Sequence, residues 1–289
     1  MDAIDPGRVR RLFSRPALAT ADDFLVREVS RRLFERVATM RIEARRVLDV
    51  GCGSGADMAP LASRFPGAAV TGVDAAFPRV ERLRRAGAAG RWKRWLGRDS
   101  GATAVQADLA ALPFPARHFD VLWSNLALHW RSEPHRVLPE WSRVTQVGGL
   151  LAFSAFGPDT LREVADAFAD VDDVRHVLPF TDMHDYGDML VEAGFATPVV
   201  DMERLTLTYS SAAHLWAEVR ALGGNAVPER VRGLRGRDYG RRVDEALARR
   251  RGDDGRYRLT FELLFAHAWK GEPRTTRSGE SVVRVERRR

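Results

Sequence analysis

The apolar run Arg46-Val47-Leu48-Asp49-Val50 leads straight into Gly51-Cys52-Gly53-Ser54-Gly55, and helical spacing resumes over 56–65 through Met58, Leu61 and Phe65. Alternate glycines at such a turn let the backbone double back and bring main-chain N–H groups close to a ligand at the start of a helix. Strand, loop and helix in this order are the first unit of a βα fold. The unit then repeats. Strands are expected at 69–73, 103–106, 119–124 and 148–154, with helices at 77–86 and 133–144. Gly148-Gly149 reads as the turn before the fifth strand. Strands that alternate with helices imply a parallel sheet.

Before this core, apolar residues at helical spacing behind an Asp predict a leading helix over 22–40. After Phe156 the alternation ends. Helical candidates lie at 158–169, 183–193, 211–222 and 240–250, and strands rich in β-branched and aromatic residues at 198–209 and 258–269. The expected fold is therefore α/β, a Rossmann-like, seven-stranded and mostly parallel sheet with helices on both faces. One domain over 1–270 is expected: a helical cover at 1–45, a cofactor-binding core at 46–157, lid helices at 158–195, and C-terminal strands with a helical insertion at 196–270. A basic, flexible tail would follow at 271–289.

Composition narrows the function classes. With 45% hydrophobic and 29% charged residues the chain is an ordinary globular protein. Cys52 is the single cysteine, which rules out an internal disulfide and a multi-thiolate metal site, so no metal is expected. No stretch approaches the roughly 18 apolar residues of a membrane span, and the N-terminus lacks the apolar core of a signal peptide; a cytoplasmic location is expected. A net charge of +7 suits a polyanionic partner, either nucleic acid or an acidic carrier protein, although Arg-rich codon usage gives the same charge.

The glycine loop alone fits several nucleotide sites. Its companions at the other strand ends carry more information. Asp49 closes the first strand. Asp74 closes the second, 19 residues beyond Gly55, the reach at which an acid meets ribose hydroxyls. Asp108 follows the third and would accept a hydrogen bond from an adenine amine while Leu109 packs on the ring. Asn125 ends the fourth strand at the carboxyl edge, where open α/β sheets bind ligands. This ordered set resembles the class I methyltransferases and implies S-adenosyl-L-methionine as cofactor. A dehydrogenase competes, because Ala56 is a permitted variant of the third glycine; a P-loop is excluded by the lack of Gly-Lys-Ser/Thr.

A closer resemblance lies in Trp123-Ser124-Asn125-Leu126-Ala127-Leu128-His129-Trp130, Phe156-Gly157-Pro158-Asp159-Thr160-Leu161-Arg162-Glu163, Asp182-Met183-His184-Asp185 and Leu259-Thr260-Phe261-Glu262. These segments resemble the malonyl-acyl-carrier-protein O-methyltransferases of biotin synthesis, and the likeness spans nearly the whole chain from Arg8. It implies methylation of the free carboxylate of malonyl-acyl carrier protein, or of malonyl-coenzyme A. A carboxylate needs no general base, only alignment and dryness. His129, His184, Tyr186 and Arg162 are candidates to steer it, each of which also fits a structural role. The resemblance also implies that helices 158–193 form a lid. The run Arg82, Arg84, Arg85, Arg91, Lys93, Arg94 and Arg98 with Trp92 and Trp95 would dock an acidic carrier, or form a solvated helix face.

Two departures stand out: 15–22 lacks the Tyr that relatives often carry near the cofactor, and His129 stands where many have Gln. A nucleic-acid methyltransferase is disfavoured, since Asn125-Leu126-Ala127-Leu128 lacks the Pro-Pro-aromatic clamp. A non-catalytic assembly factor of the same fold is the other alternative.

Overall fold

The computed structural model describes residues 4–15, 24–89, 103–223, 226–227 and 235–272. Its elements run in chain order as α1 (Pro6–Phe13), α2 (Phe24–Val37), β1 (Arg46–Val50), α3 (Met58–Arg64), β2 (Ala69–Asp74), α4 (Phe77–Ala89), β3 (Thr103–Gln106) and β4 (Phe119–Ser124). Then come α5 (Pro134–Val144), β5 (Thr145–Phe156), α6 (Arg162–Ala169), α7 (Met183–Glu192), β6 (Phe195–Tyr209), α8 (Ala212–Ala221), α9 (Arg237–Ala248) and β7 (Tyr257–Lys270). They form one seven-stranded sheet in the order β3-β2-β1-β4-β5-β7-β6. Strands β1 to β5 pair in parallel, while β7 is antiparallel to both neighbours.

Side chains alternate across the sheet, as period-2 geometry requires. Val47, Val121, Trp123, Leu150 and Ala152 join the core on one face, and Leu48, Leu122, Leu151 and Phe153 the core on the other. The first core takes in Leu25, Val29 and Leu33 of α2; the second takes in Val137, Leu138 and Trp141 of α5.

Three expectations change. Gly148-Gly149 is no turn: β5 already starts at Thr145, and the pair sits where the β4–β5 register shifts between Phe119 and Val121. Gly148 is left-handed at φ 79°, and a Cβ on Gly149 would come within 2.9 Å of the Asp120 carbonyl oxygen, so the strand continues through a glycine irregularity.

Residues 158–161 are not helical. The Gly157 N–H donates to the Glu262 carbonyl (2.9 Å), the Asp159 N–H to the Glu262 carboxylate (2.7 Å), and the Leu161 N–H to the Thr260 carbonyl (2.7 Å). Leu161 is held at φ 60°, so α6 begins only after this clamp on β7.

Nor do residues 158–195 form one lid. Val164 and Ala167 of α6 are buried in the core beside α2, whereas Tyr186 and Leu190 of α7 are buried in the core on the opposite face. Their apolar stripes close the two sides of the sheet.

A cleft at the carboxyl edge of the sheet

A cleft opens above the carboxyl ends of β1, β2 and β4, lined by the Gly51–Ser54 loop, Asp74 to Ala76, Asp108, Leu109 and Asn125 to Arg131. Its floor is fixed by the backbone. The Gly51 and Cys52 N–H groups both donate to the Val73 carbonyl, at 2.8 and 2.9 Å, tying the glycine loop to the end of β2. Gly51 stands at φ 79°, and a Cβ there would overlap the Cβ of Ala127, so this position needs glycine for both conformation and space.

The predicted acids converge here. The Asp74 carboxylate accepts the Gly53 N–H at 3.0 Å and the Ala76 N–H at 2.7 Å; burial pushes its pKa up against these bonds, which lower it. Asp49 is buried, and its Oδ2 has no hydrogen-bond partner among the described residues. Burial first, then the charges of Asp57 and Asp74, raise its carboxyl well above the usual range. A buried, unpartnered carboxylate oxygen in a cleft wall calls for a ligand cation or donor. Asp108 is half-exposed; its carboxylate accepts the Ala110 N–H at 2.9 Å and pairs with Arg131 at 2.9 Å. Leu109 is buried beside it.

Asn125 lines the cleft, but its side chain is engaged elsewhere: Oδ1 accepts the Ser154 hydroxyl at 2.7 Å, and Nδ2 donates to the Val26 carbonyl at 3.0 Å. It thereby ties the start of α2 to the sheet edge.

His129 is the predicted acceptor-side residue that the structure brings to the cleft. It sits on a 3-10 turn, Leu128–Trp130, with Phe156, Phe180 and Trp130 around its ring. The Phe156 N–H donates to Nδ1 at 3.4 Å, and a backbone N–H can only donate, so the ring proton belongs on Nε2. Nε2 is buried without a partner among the described residues, and burial lowers the pKa to about 3. The imidazole is a neutral donor.

His184, Tyr186 and Arg162 do not line the cleft. His184 is exposed at the start of α7, Tyr186 is buried with its ring 5.4 Å from that of Phe153, and Arg162 is exposed with Glu163 at 3.6 Å. Helix placement is the reason: α6 and α7 are drawn to the two cores. Within the basic run, Arg84 donates to the Ala104 carbonyl at 2.8 Å and Arg85 pairs with Glu81 at 2.6 Å. Arg91, Trp92, Lys93, Arg94, Trp95 and Arg98 lie outside the described residues, as do the segment 16–23 and the tail from 273.

Sequence reasoning missed two contributors. Asp57 looks like a helix cap for α3, yet it makes no cap bond. It accepts instead from the Ser30 hydroxyl at 2.5 Å and the Trp123 Nε1–H at 2.7 Å, buried beside the cleft. The share of α8 in the cover is the second; a cover from 1–45 was expected. Pro6, Val9, Arg10 and Phe13 of α1 and Glu218 and Ala221 of α8 close over the cleft. Phe13 seats α1: its ring meets Trp130 edge-on at 4.9 Å and lies 4.9 Å under the Arg79 guanidinium. The signal available was Asp5-Pro6, an N-cap followed by proline in the first turn.

A family model described as a methyltransferase domain matches residues 48–153, the segment that builds the cleft floor. A protein of Laribacter hongkongensis named malonyl-(acyl-carrier protein) O-methyltransferase is 44% identical over 94% of this chain and 92% of its own. The chain belongs to that family. A second member, from Gallionella capsiferriformans, is 39% identical over 98% of this chain and 97% of its own. Among solved structures, the YcgJ protein of Bacillus subtilis superposes with a TM-score of 0.58 at 17% identity, covering 85% of this chain and 98% of that one, a likeness of fold. The methyltransferase domain and the family make S-adenosylmethionine the cofactor of the chain.

Proposed function

We propose that the chain methylates the free carboxylate of a malonyl thioester on acyl carrier protein, giving the methyl ester that enters chain elongation toward the pimeloyl group of biotin. One observation carries the acceptor: the likeness to curated relatives covers 92 to 97% of their length, well beyond the 48–153 core. It therefore includes the Gly157–Leu161 clamp and its β7 partners.

The residues of the cleft fit the cofactor. Bound there, S-adenosylmethionine supplies an electrophilic methyl on a sulfonium, together with an ammonium group. The unpartnered Asp49 Oδ2 suits that ammonium, and neighbouring Asp57 and Asp74 add a negative field for a ligand of two positive centres. Asp74, fixed by two N–H groups, presents its remaining lone pairs to the ribose, and Asp108 with Leu109 would hold the adenine. A malonyl carboxylate is already anionic at neutral pH, so no group need take a proton from it. His129 Nε2–H is a neutral donor that orients this carboxylate without demanding a particular pH. The cover made by α1 and α8 excludes water, which raises the worth of each polar contact inside.

The test is transfer of labelled methyl from S-adenosylmethionine to malonyl-acyl carrier protein, acetyl-acyl carrier protein, malonyl-coenzyme A and RNA. Label on a malonyl thioester and not on its acetyl counterpart is expected. Equal label on malonyl and acetyl carriers, or label only on RNA, refutes the acceptor.

A further inference from the structure

Fixed charge in the cleft is lopsided. Asp49, Asp57 and Asp74 stand at its floor and Glu218 at its cover, so an entering carboxylate meets like charge. Three cations line the same space: Arg10, Arg79 and Arg131. Two are committed. Arg131 is paired with Asp108 at 2.9 Å, and Arg79 lies over the Phe13 ring and donates to the Phe13 carbonyl at 3.3 Å.

Arg10 is different. It is exposed on α1 and lines the cleft, and among the described residues its guanidinium makes no hydrogen bond or ion pair. Its backbone is nonetheless well placed. Its carbonyl accepts the Ser14 N–H and hydroxyl at the end of α1, and three residues on, Phe13 fastens the helix to Trp130. A fixed helix with a free guanidinium at a cleft mouth matches the planar, two-pronged donor geometry that recognises carboxylates.

We propose that Arg10 is a carboxylate-binding residue of the cleft. Two ligands of the proposed reaction carry that group: the amino-acid end of the cofactor, and the malonyl unit, the latter resting on the function proposed above. The experiment separates them in the full chain, with Arg10→Gln, Arg10→Lys and, as a control, Arg11→Gln. Calorimetry measures binding of S-adenosylhomocysteine and of 5′-methylthioadenosine, which lacks the amino-acid end; steady-state kinetics measure the malonyl-acyl carrier protein KM and kcat.

If Arg10 holds the cofactor carboxylate, R10Q weakens S-adenosylhomocysteine about 10- to 100-fold, the range of a charged hydrogen bond, and leaves methylthioadenosine unchanged. If it holds the acceptor, KM rises by about that factor while kcat and S-adenosylhomocysteine affinity hold. R10K regains part of either loss, and R11Q changes neither. The proposal is overturned if R10Q leaves both quantities within about twofold, or if it weakens methylthioadenosine equally, which would mark a loosened cover. Should the wild-type protein transfer no methyl to malonyl carriers, the proposed function fails; weaker S-adenosylhomocysteine with unchanged methylthioadenosine in R10Q then still supports Arg10, and unchanged binding of both overturns it.

Discussion

His129→Gln tests whether the imidazole at the cleft is neutral and desolvated. In the folded chain its pKa is about 3, against an ordinary 6.5, because burial disfavours the cation. Between those values the unfolded chain binds a proton that the native chain does not. The contribution of the neutral His129 is therefore whole above pH 6.5 and is lost progressively as pH falls toward 3. At pH 4.5 the loss relative to pH 7.5 is on the order of 2 to 3 kcal/mol. Gln has an amide donor of similar reach and does not titrate. The buried Asp49, Asp57 and Asp74, whose raised pKa values act in the opposite sense, are common to both proteins and cancel in the difference. Urea unfolding of wild type and H129Q at both pH values is the assay. The stability gap should move by roughly 2 to 3 kcal/mol in favour of the variant on acidification. A gap that stays constant within about 0.5 kcal/mol would refute a buried neutral histidine, and with it the assignment of Nε2–H as a pH-independent donor.

Asp49→Asn should weaken S-adenosylmethionine about 10- to 100-fold by calorimetry, while thermal stability holds or rises, because the buried carboxylate is disfavoured by burial and by its acidic neighbours; unchanged affinity would remove the ammonium role. Gly51→Ala places a Cβ on Ala127 at a left-handed position and should cost about 1–3 kcal/mol in urea unfolding, with loss of cofactor binding. Phe13→Ala removes the ring that seats α1 between Trp130 and Arg79, so S-adenosylhomocysteine should bind about tenfold more weakly with little change in global unfolding. Equal affinity in that variant would show that α1 contributes nothing to the bound state.

The parallel half of the fold was legible because its signals are local. Each strand from β1 to β4 is a short run next to its own turn, and Asp49, Asp74 and Asp108 take their positions within, at or just beyond the ends of β1, β2 and β3. Irregularities were less visible. The Gly148-Gly149 pair carries turn chemistry, yet the pairing of β5 with β4 and β7 carries the strand through it. The Gly157–Leu161 segment looks like a helix start, but Glu262 and Thr260, about a hundred residues away, take its N–H groups.

The cover is the extreme case. Reading along the chain gives a cover at 1–45 and also assigns a lid to the helices that follow the core, since nothing local tells α6 and α7 that their stripes belong to opposite faces of the sheet. The actual cover joins the start of the chain to its later third: Arg8 donates to the Val227 carbonyl across 219 residues, and Phe13 packs on Trp130. Such contacts are set by the tertiary fold, and their only trace in the sequence is the cap at Asp5-Pro6. The chemistry divides along the same line. The locally encoded floor is acidic and suits a cation. The turn after β4 adds a neutral imidazole donor and the distant α1 the Arg10 guanidinium, groups suited to an anion. Methyl transfer between a sulfonium and a carboxylate requires both in one cleft, so a chain whose floor is intact but whose α1 is unseated should still bind the adenosyl end of the cofactor while losing its hold on the carboxylate that Arg10 takes.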